Sequence, residues 1–278
     1  LLDSLQHLCL MHGMEVDYYK KLFQTIGNII ELIEKDDMPK YLLFLENAFP
    51  YMDNYNYHKG MNVIIQELKD LLKTKSIGTN SDRALLLDFQ ATLETKPEKA
   101  IKLEKDALAQ IENITADNAR LVSNLHANLG GLYRMNGHPD LAREHMEKSI
   151  SLLDQFNLLH INDSIPQIAN YAMFLTEQQE PERGISELQK LSGIIKEYHS
   201  DECLDYAKVQ ETLGTIYLMT ANLPQAKTHF KRAFKIYEKI WADEPEMIEA
   251  KYQEIQELYP QVGSFLGQQI SSSLTKQA

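Results

Sequence analysis

Two asparagines with equal spacing could supply the chemistry of peptide recognition. Asn128 and Asn170 stand 42 residues apart, each within a stretch whose apolar residues recur at steps of three and four. An asparagine amide both donates and accepts hydrogen bonds, so it can pair with a peptide backbone whatever the peptide's side chains. Two amides at matching places predict a ladder for an extended backbone. The alternative is that each amide bonds a neighbouring helix or faces water.

The residues that catalysis or metal binding would need lack the required spacing. The sequence has no Gly-x-x-x-x-Gly-Lys loop, no Gly-x-Ser-x-Gly elbow and no His-Glu-x-x-His helix. His138 and His145 share a helix face, but no carboxylate pattern beside them indicates a metal, and Cys9 and Cys203 are far apart. We therefore expect no catalytic residue, no metal and no cofactor. Any active site of the intact protein would lie outside this sequence.

Composition favours an all-α protein that binds neither nucleic acid nor membrane. Only 12 glycines and 9 prolines occur in 278 residues, and long segments lack strand-like alternation. The net charge is −12, and Lys and Arg are interspersed with Asp and Glu, whereas phosphate binding needs clustered cations. No run of apolar residues is long enough to span a bilayer. With two unpaired cysteines, these features predict a cytoplasmic protein.

Amphipathic helices must position the two asparagines, and the segment from Leu213 to Trp241 shows their form. It predicts two helices joined by a four-residue turn, with Pro224 suited to the first turn of the second helix. Gly214 would allow the two helices to approach closely. The second helix has one apolar face, formed by residues 226, 230, 233, 234, 237, 240 and 241. Such a hairpin cannot bury its own apolar surface, so more copies are expected.

The same spacing of small and bulky residues recurs along the chain. Gly214, Tyr217, Ala226, Phe230 and Ala233 have counterparts 84 residues earlier in Gly130, Tyr133, Ala142, Met146 and Ser149. A copy halfway between has Ala172, Leu175, Gly184, Leu188 and Leu191, an earlier one has Ala91, Ala100 and Ala107, and a fifth lies around Ala48, Gly60 and Ile64. The period of 42 residues predicts a solenoid of helical hairpins.

The pattern Leu-Gly-x-x-Tyr, followed by Ala, Phe and Ala at nine, thirteen and sixteen residues after the tyrosine, resembles the tetratricopeptide repeat. Its period of 42 residues is similar to that of the kinesin-light-chain type, which also occurs in C-terminal sensor arrays of bacterial signalling ATPases. The resemblance implies an all-α, right-handed α-solenoid of about five hairpins with terminal capping helices.

Three segments follow from this interpretation. We expect residues 1–37 to be a helical N-terminal cap or the tail of an upstream domain, residues 38–242 to be the array, and residues 243–278 to be a C-terminal capping helix with a frayed tail. The chain begins Leu-Leu, which favours a fragment of a longer polypeptide. An upstream domain of the same polypeptide is therefore one expected partner.

The resemblance also implies a binding groove, because in such arrays the first helices of successive hairpins line a concave side. Counting back from Tyr133 and Tyr217 gives the groove positions Asn124, Asn128, Arg134, Asn170, Met173, Lys208, Thr212 and Thr215. Lys208 matches one basic position of the clamp that some tetratricopeptide domains use for a C-terminal carboxylate. Thr212 stands where that clamp has an arginine, so a chaperone-tail clamp is not expected.

The resulting hypothesis is a scaffold module that binds a protein or a peptide in its groove, as part of a larger signalling or regulatory protein. One alternative is the sensor of a regulatory ATPase. Another is the ligand-sensing domain of a peptide-responsive bacterial transcription regulator, although residues 1–35 show no basic recognition helix. An enzyme comes last. The sequence names neither the ligand nor the oligomeric state.

Overall fold

A computed structural model describes residues 49, 58–74, 79–161, 164–260 and 262–263. Over these ranges the regular secondary structure is helical, which confirms the predicted all-α class. The predicted N-terminal segment, residues 1–37, lies outside the described residues, as does Cys9.

Ten helices are described, and several begin with a proline in the first turn, where its missing N–H costs nothing. They are α1 (His58–Thr74), α2 (Asn80–Leu93), α3 (Pro97–Leu108), α4 (Ala119–Met135), α5 (Pro139–Gln155), α6 (Ser164–Glu177), α7 (Pro181–Tyr198), α8 (Leu204–Met219), α9 (Leu223–Ile240) and α10 (Pro245–Leu258).

The chain divides into two compact units, residues 1–132 and 133–278. In unit 1, α2 pairs with α3, and α1 packs on α2. In unit 2, α6 pairs with α7 and α8 pairs with α9, while α8 also packs against both α6 and α7. The predicted C-terminal helix is α10, which packs on α9. Helices thus pack against neighbours in sequence, as a solenoid of hairpins requires.

The hairpin expected between Leu213 and Trp241 is formed by α8 and α9, joined by three residues, Thr220–Asn222, instead of four. Five of its seven predicted apolar positions are buried. The exceptions lie at the end of α9, where Ile240 is exposed and Trp241 is half-buried and stacks on Tyr237.

The two hairpins of unit 2 are held by helix crossings at near backbone contact. A Cβ added at Gly184 of α7 would lie 2.6 Å from the carbonyl oxygen of Ala172 in α6. A Cβ added at Gly214 of α8 would lie 2.7 Å from Phe230 Cδ2 in α9. Both distances are shorter than van der Waals contact allows. The small residues of the repeat pattern are therefore required by the packing of each hairpin.

The turns after α4, α6 and α8 repeat with the same period. Gly137, Gln179 and Ala221 follow one another at 42 residues and have φ of 72°, 65° and 59°. The next residue in each turn donates its N–H to a carbonyl five residues back, in the pairs His138 to Tyr133, Glu180 to Leu175 and Asn222 to Tyr217. This is the Schellman arrangement that satisfies the last carbonyls of a helix.

We predict that Gly184→Ala lowers the free energy of unfolding by about 1–3 kcal/mol, because the added methyl group meets backbone that cannot move aside alone. The matched control is Gly193→Ala in the same helix, where a Cβ meets nothing within 4 Å. The control should raise stability by up to about 1 kcal/mol through helix propensity. Urea unfolding measures both, and equal effects would contradict the close crossing.

We also predict that Ala221→Gly stabilises the protein by about 0.5 kcal/mol, because glycine adopts positive φ without the Cβ clash that alanine suffers. The reverse substitution at the equivalent turn, Gly137→Ala, should destabilise it by about 1 kcal/mol, since φ is positive there but surrounding space is open. Thermal unfolding of the two variants tests the pair. Shifts of the same sign would refute the argument from φ.

Candidate binding face on the first helices

Five of the predicted groove residues lie on α6 and α8, two helices of unit 2 that pack side by side. We call their exposed surface the first-helix face; it is formed by Asn170, Met173, Lys208, Thr212 and Thr215. Asn170 and Lys208 are exposed, and within the described residues neither side chain has a hydrogen bond or an ion pair. These two groups are therefore available to a ligand.

The other three residues of the first-helix face are half-buried. Met173 is half-buried and packs against the hydrophobic core of unit 2. Thr212 and Thr215 are half-buried, and their hydroxyls donate to the carbonyls of Lys208 at 3.0 Å and Glu211 at 3.1 Å. Their oxygens can still accept, so these three residues add an adaptable thioether and two acceptor groups to the face.

Arg134 of unit 2, at the end of α4, is already paired. Its Nε donates to Glu177 Oε2 at 2.8 Å, and its Nη2 bonds the other oxygen of the same carboxylate. This bidentate geometry is the favoured one for arginine and a carboxylate. An acidic ligand would have to compete with Glu177 for this side chain.

The two predicted residues of unit 1 are also engaged. Asn128 is exposed, and its Nδ2 donates to Asp88 Oδ1 of α2 at 2.8 Å. Asn124 is half-buried and has an interaction of its own. Asn128 and Asn170 therefore differ despite their matching positions. The residue 42 positions after Asp88 is Gly130, which has no side chain to accept such a bond.

Glu211 of α8 holds the C-terminal helix α10. Lys251 Nζ of α10 lies 2.9 Å from Glu211 Oε1, and the Tyr237 hydroxyl donates to Glu211 Oε2 at 2.7 Å. Burial would lower the pKa of Lys251, but Glu211 and Glu254 together outweigh that effect and the pKa is raised. Burial and Glu211 together raise the pKa of the Tyr237 hydroxyl. Lys251 thus stays charged and Tyr237 neutral.

Sequence reasoning missed these partners, although a signal was present. Glu177 follows Arg134 by 43 residues, and Lys251 follows Glu211 by 40 residues. Opposite charges about one period apart lie on equivalent helices of successive copies, so a search at that spacing would have found both pairs.

Comparison with known proteins adds the family. Residues 164–239, from the start of α6 to the next-to-last residue of α9, match the model of the Tetratricopeptide repeat family. No curated protein matches the chain in sequence.

Solved structures with tetratricopeptide-like repeats share the fold at low sequence identity. BtubC (BKLC) from P. vanneervenii is 18% identical with a TM-score of 0.58, covering 79% of this chain and 88% of its own. The nearly identical TPR-like repeats of a Podosopora anserina protein described as a kinesin light chain are 12% identical with a TM-score of 0.53, covering 72% and 97%. A Rap protein complexed with competence and sporulation factor is 16% identical with a TM-score of 0.53, covering 94% and 74%.

The predicted resemblance to tetratricopeptide repeats of the kinesin-light-chain type is confirmed by these matches. Tetratricopeptide repeats typically serve as non-catalytic scaffolds, and the match supports a scaffold for protein–protein interaction. Across the described ranges, no group of three or more His, Cys, Asp or Glu residues could hold a metal. Within those same ranges, the helices are all too short or too polar to cross a membrane.

Helix α9, the second helix of the last hairpin in the matched segment, has a pattern of cations that sequence reasoning missed. Four lysines of α9 recur at every fourth residue, at positions 227, 231, 235 and 239. Lys231 and Lys235 are exposed, and Lys239 is paired with Glu202. In this helix, the cations are therefore clustered along one side and not interspersed with acids as predicted. The lysines lie on a second helix and do not belong to the first-helix face.

We predict that Lys251→Ala lowers the free energy of unfolding by about 1–3 kcal/mol, because it leaves Glu211 without its cation in a site where both side chains are less than a fifth exposed. The control is Lys239→Ala, which breaks a pair whose side chains are 62% and 59% exposed and should cost no more than about 0.5 kcal/mol. Chemical denaturation measures the free energy of unfolding of both variants. Similar decreases in the two variants would show that the Lys251–Glu211 pair does not stabilise the packing of α10.

Proposed function

We propose that this chain docks an extended segment of a partner protein, or a peptide, along the first-helix face. The proposal rests on one observation: the unpaired amide of Asn170 and the unpaired ammonium of Lys208 are exposed on adjacent first helices of tetratricopeptide repeats. An exposed amide and cation with no partner among the described residues are the groups that can exchange water for a ligand at the lowest cost.

The chemistry of the face indicates the class of ligand. The Asn170 amide can donate to one peptide carbonyl and accept from one peptide N–H, independently of the ligand's side chains. Lys208 favours a ligand that carries a carboxylate near this point. Met173, half-buried on the same face, can adapt to side chains of different shape. The expected ligand is an extended segment with an acidic residue and an adjacent apolar one.

A signalling or sensory role is the second candidate. The Rap protein that shares this fold was solved in complex with competence and sporulation factor, and its likeness covers 94% of this chain. By analogy, the first-helix face would belong to the ligand-sensing domain of a larger regulator in the cytoplasm. A nucleotide-binding loop or a helix-turn-helix encoded upstream would favour this role and decide between a signalling ATPase and a transcription regulator.

Short random peptides displayed on phage, selected against the intact chain, provide the test. We expect Asn170→Ala and Lys208→Ala each to raise the Kd of a selected acidic peptide by about tenfold, the loss of one hydrogen-bonded or charged contact. Isothermal titration calorimetry measures the change.

The matched controls are Asn113→Ala, an exposed asparagine in the loop between α3 and α4, and Lys231→Ala on α9. Both should leave the Kd within about twofold, since neither side chain lies on the first-helix face. The proposed function is wrong if the selected peptides lose no affinity with Asn170→Ala and Lys208→Ala combined.

A further inference from the structure

A buried pair of acids lies beneath Asn128 in unit 1. Glu104 of α3 is 1% exposed and Asp88 of α2 is 8% exposed. The two carboxyl groups interact directly, and Asp88 Oδ1 also accepts from Asn128 Nδ2 of α4. Acids are rarely buried without a compensating partner. Two adjacent buried carboxyl groups cannot both be ionised at a reasonable cost.

A buried carboxyl oxygen of Glu104 without a hydrogen-bond partner among the described residues indicates which of the two acids carries the proton. Glu104 Oε2 accepts no hydrogen bond from any described residue. A buried carboxylate oxygen without a donor is costly, whereas the hydroxyl of a carboxylic acid is itself a donor. Protonation therefore gives Glu104 an acceptor in the carboxylate of Asp88. Burial first, and then the charge of Asp88, raise the pKa of Glu104 to about 10, although the Asn128 amide opposes the shift.

We propose that neutral Glu104 and ionised Asp88 are positioning residues for Asn128. The protonated carboxyl group of Glu104 donates a hydrogen bond to the carboxylate of Asp88. Asp88 accepts a second hydrogen bond from Asn128 Nδ2. The Oδ1 atom of Asn128 is then the end of the amide that faces outward. Asn128 then accepts from a ligand N–H, whereas Asn170 can both donate and accept. This inference rests on the proposed function in one respect only, which is that the ligand group donating to Asn128 Oδ1 is a peptide N–H.

The charged and titratable groups around Glu104 fix the dependence on pH. Asp88 faces it from α2, the neutral amide of Asn128 faces it from α4, and Lys105 beside it on α3 is exposed. The folded state keeps a proton that the unfolded chain loses above a pKa of 4.5. Stability should therefore fall as pH rises from about 4.5 towards about 10, and Glu104→Gln should remove this contribution.

Carboxyl ¹³C NMR of the intact chain, labelled at glutamate, tests the proton directly. Glu104 should show the chemical shift of a neutral acid at pH 7. Glu104→Gln assigns its signal, and the glutamate signals of the chain unfolded in urea give the shift of an ionised carboxylate at the same pH. The proposal is overturned if the Glu104 signal of the folded chain has the shift of an ionised carboxylate at pH 7.

Hydrogen exchange of the Asn128 side-chain amide tests the positioning. Asp88→Ala removes the acceptor and should speed exchange of the Asn128 amide on the order of tenfold, with the Asn170 amide as the internal reference. Asp88→Asn retains an acceptor oxygen and should preserve most of the protection. An unchanged exchange rate of the Asn128 amide in Asp88→Ala would overturn the positioning role. If the variants do not fold, the protonation of Glu104 can still be measured by carboxyl NMR of the wild-type chain.

The two proposals fail separately. If Glu104 is neutral at pH 7 but no displayed peptide binds, the proposed function fails and the positioning of Asn128 stands. If peptides bind the first-helix face but Glu104 is ionised at pH 7, only this inference is overturned.

Discussion

Each hairpin of unit 2 depends on one constraint, which is that its two helices cross without room for a Cβ. At Gly184 the constraint is imposed by the backbone of Ala172, and at Gly214 it is imposed by the ring of Phe230. Because backbone cannot yield as a side-chain end can, the first crossing is the stricter of the two. Each crossing fixes which side of the first helix is buried, and thus which residues are left for the first-helix face.

Ion pairs then fix the position of one hairpin relative to the next. Arg143 and Arg183 share Glu180, and Arg183 also reaches Glu147, so the second helices α5 and α7 of neighbouring copies are joined. These side chains are partly exposed, and such pairs contribute little to stability. Their value is in orientation, because the guanidinium of Arg183 contacts both Glu147 and Glu180 and so constrains the relative position of the two helices.

The helices, their apolar faces and the close crossings could be predicted because they are local. The small residues at 184 and 214 and the proline at 224 that opens a helix follow from spacing within one hairpin. The partners of polar groups could not be predicted in the same way. Asn128 and Asn170 occupy the same position, yet only Asn128 has an aspartate beside it, because side-chain partners depend on what the neighbouring copy places there.

This dependence on the neighbouring copy gives the repeats their individual chemistry. The backbone repeats at 42 residues through the three turns, but the side chains above it do not. Glu211 is engaged by Lys251 and Tyr237, Arg134 is engaged by Glu177, and Asn170 is left open. A regular array can therefore offer an irregular pattern of free donors and acceptors. That pattern, more than the repeat itself, would determine which extended segment fits the first-helix face.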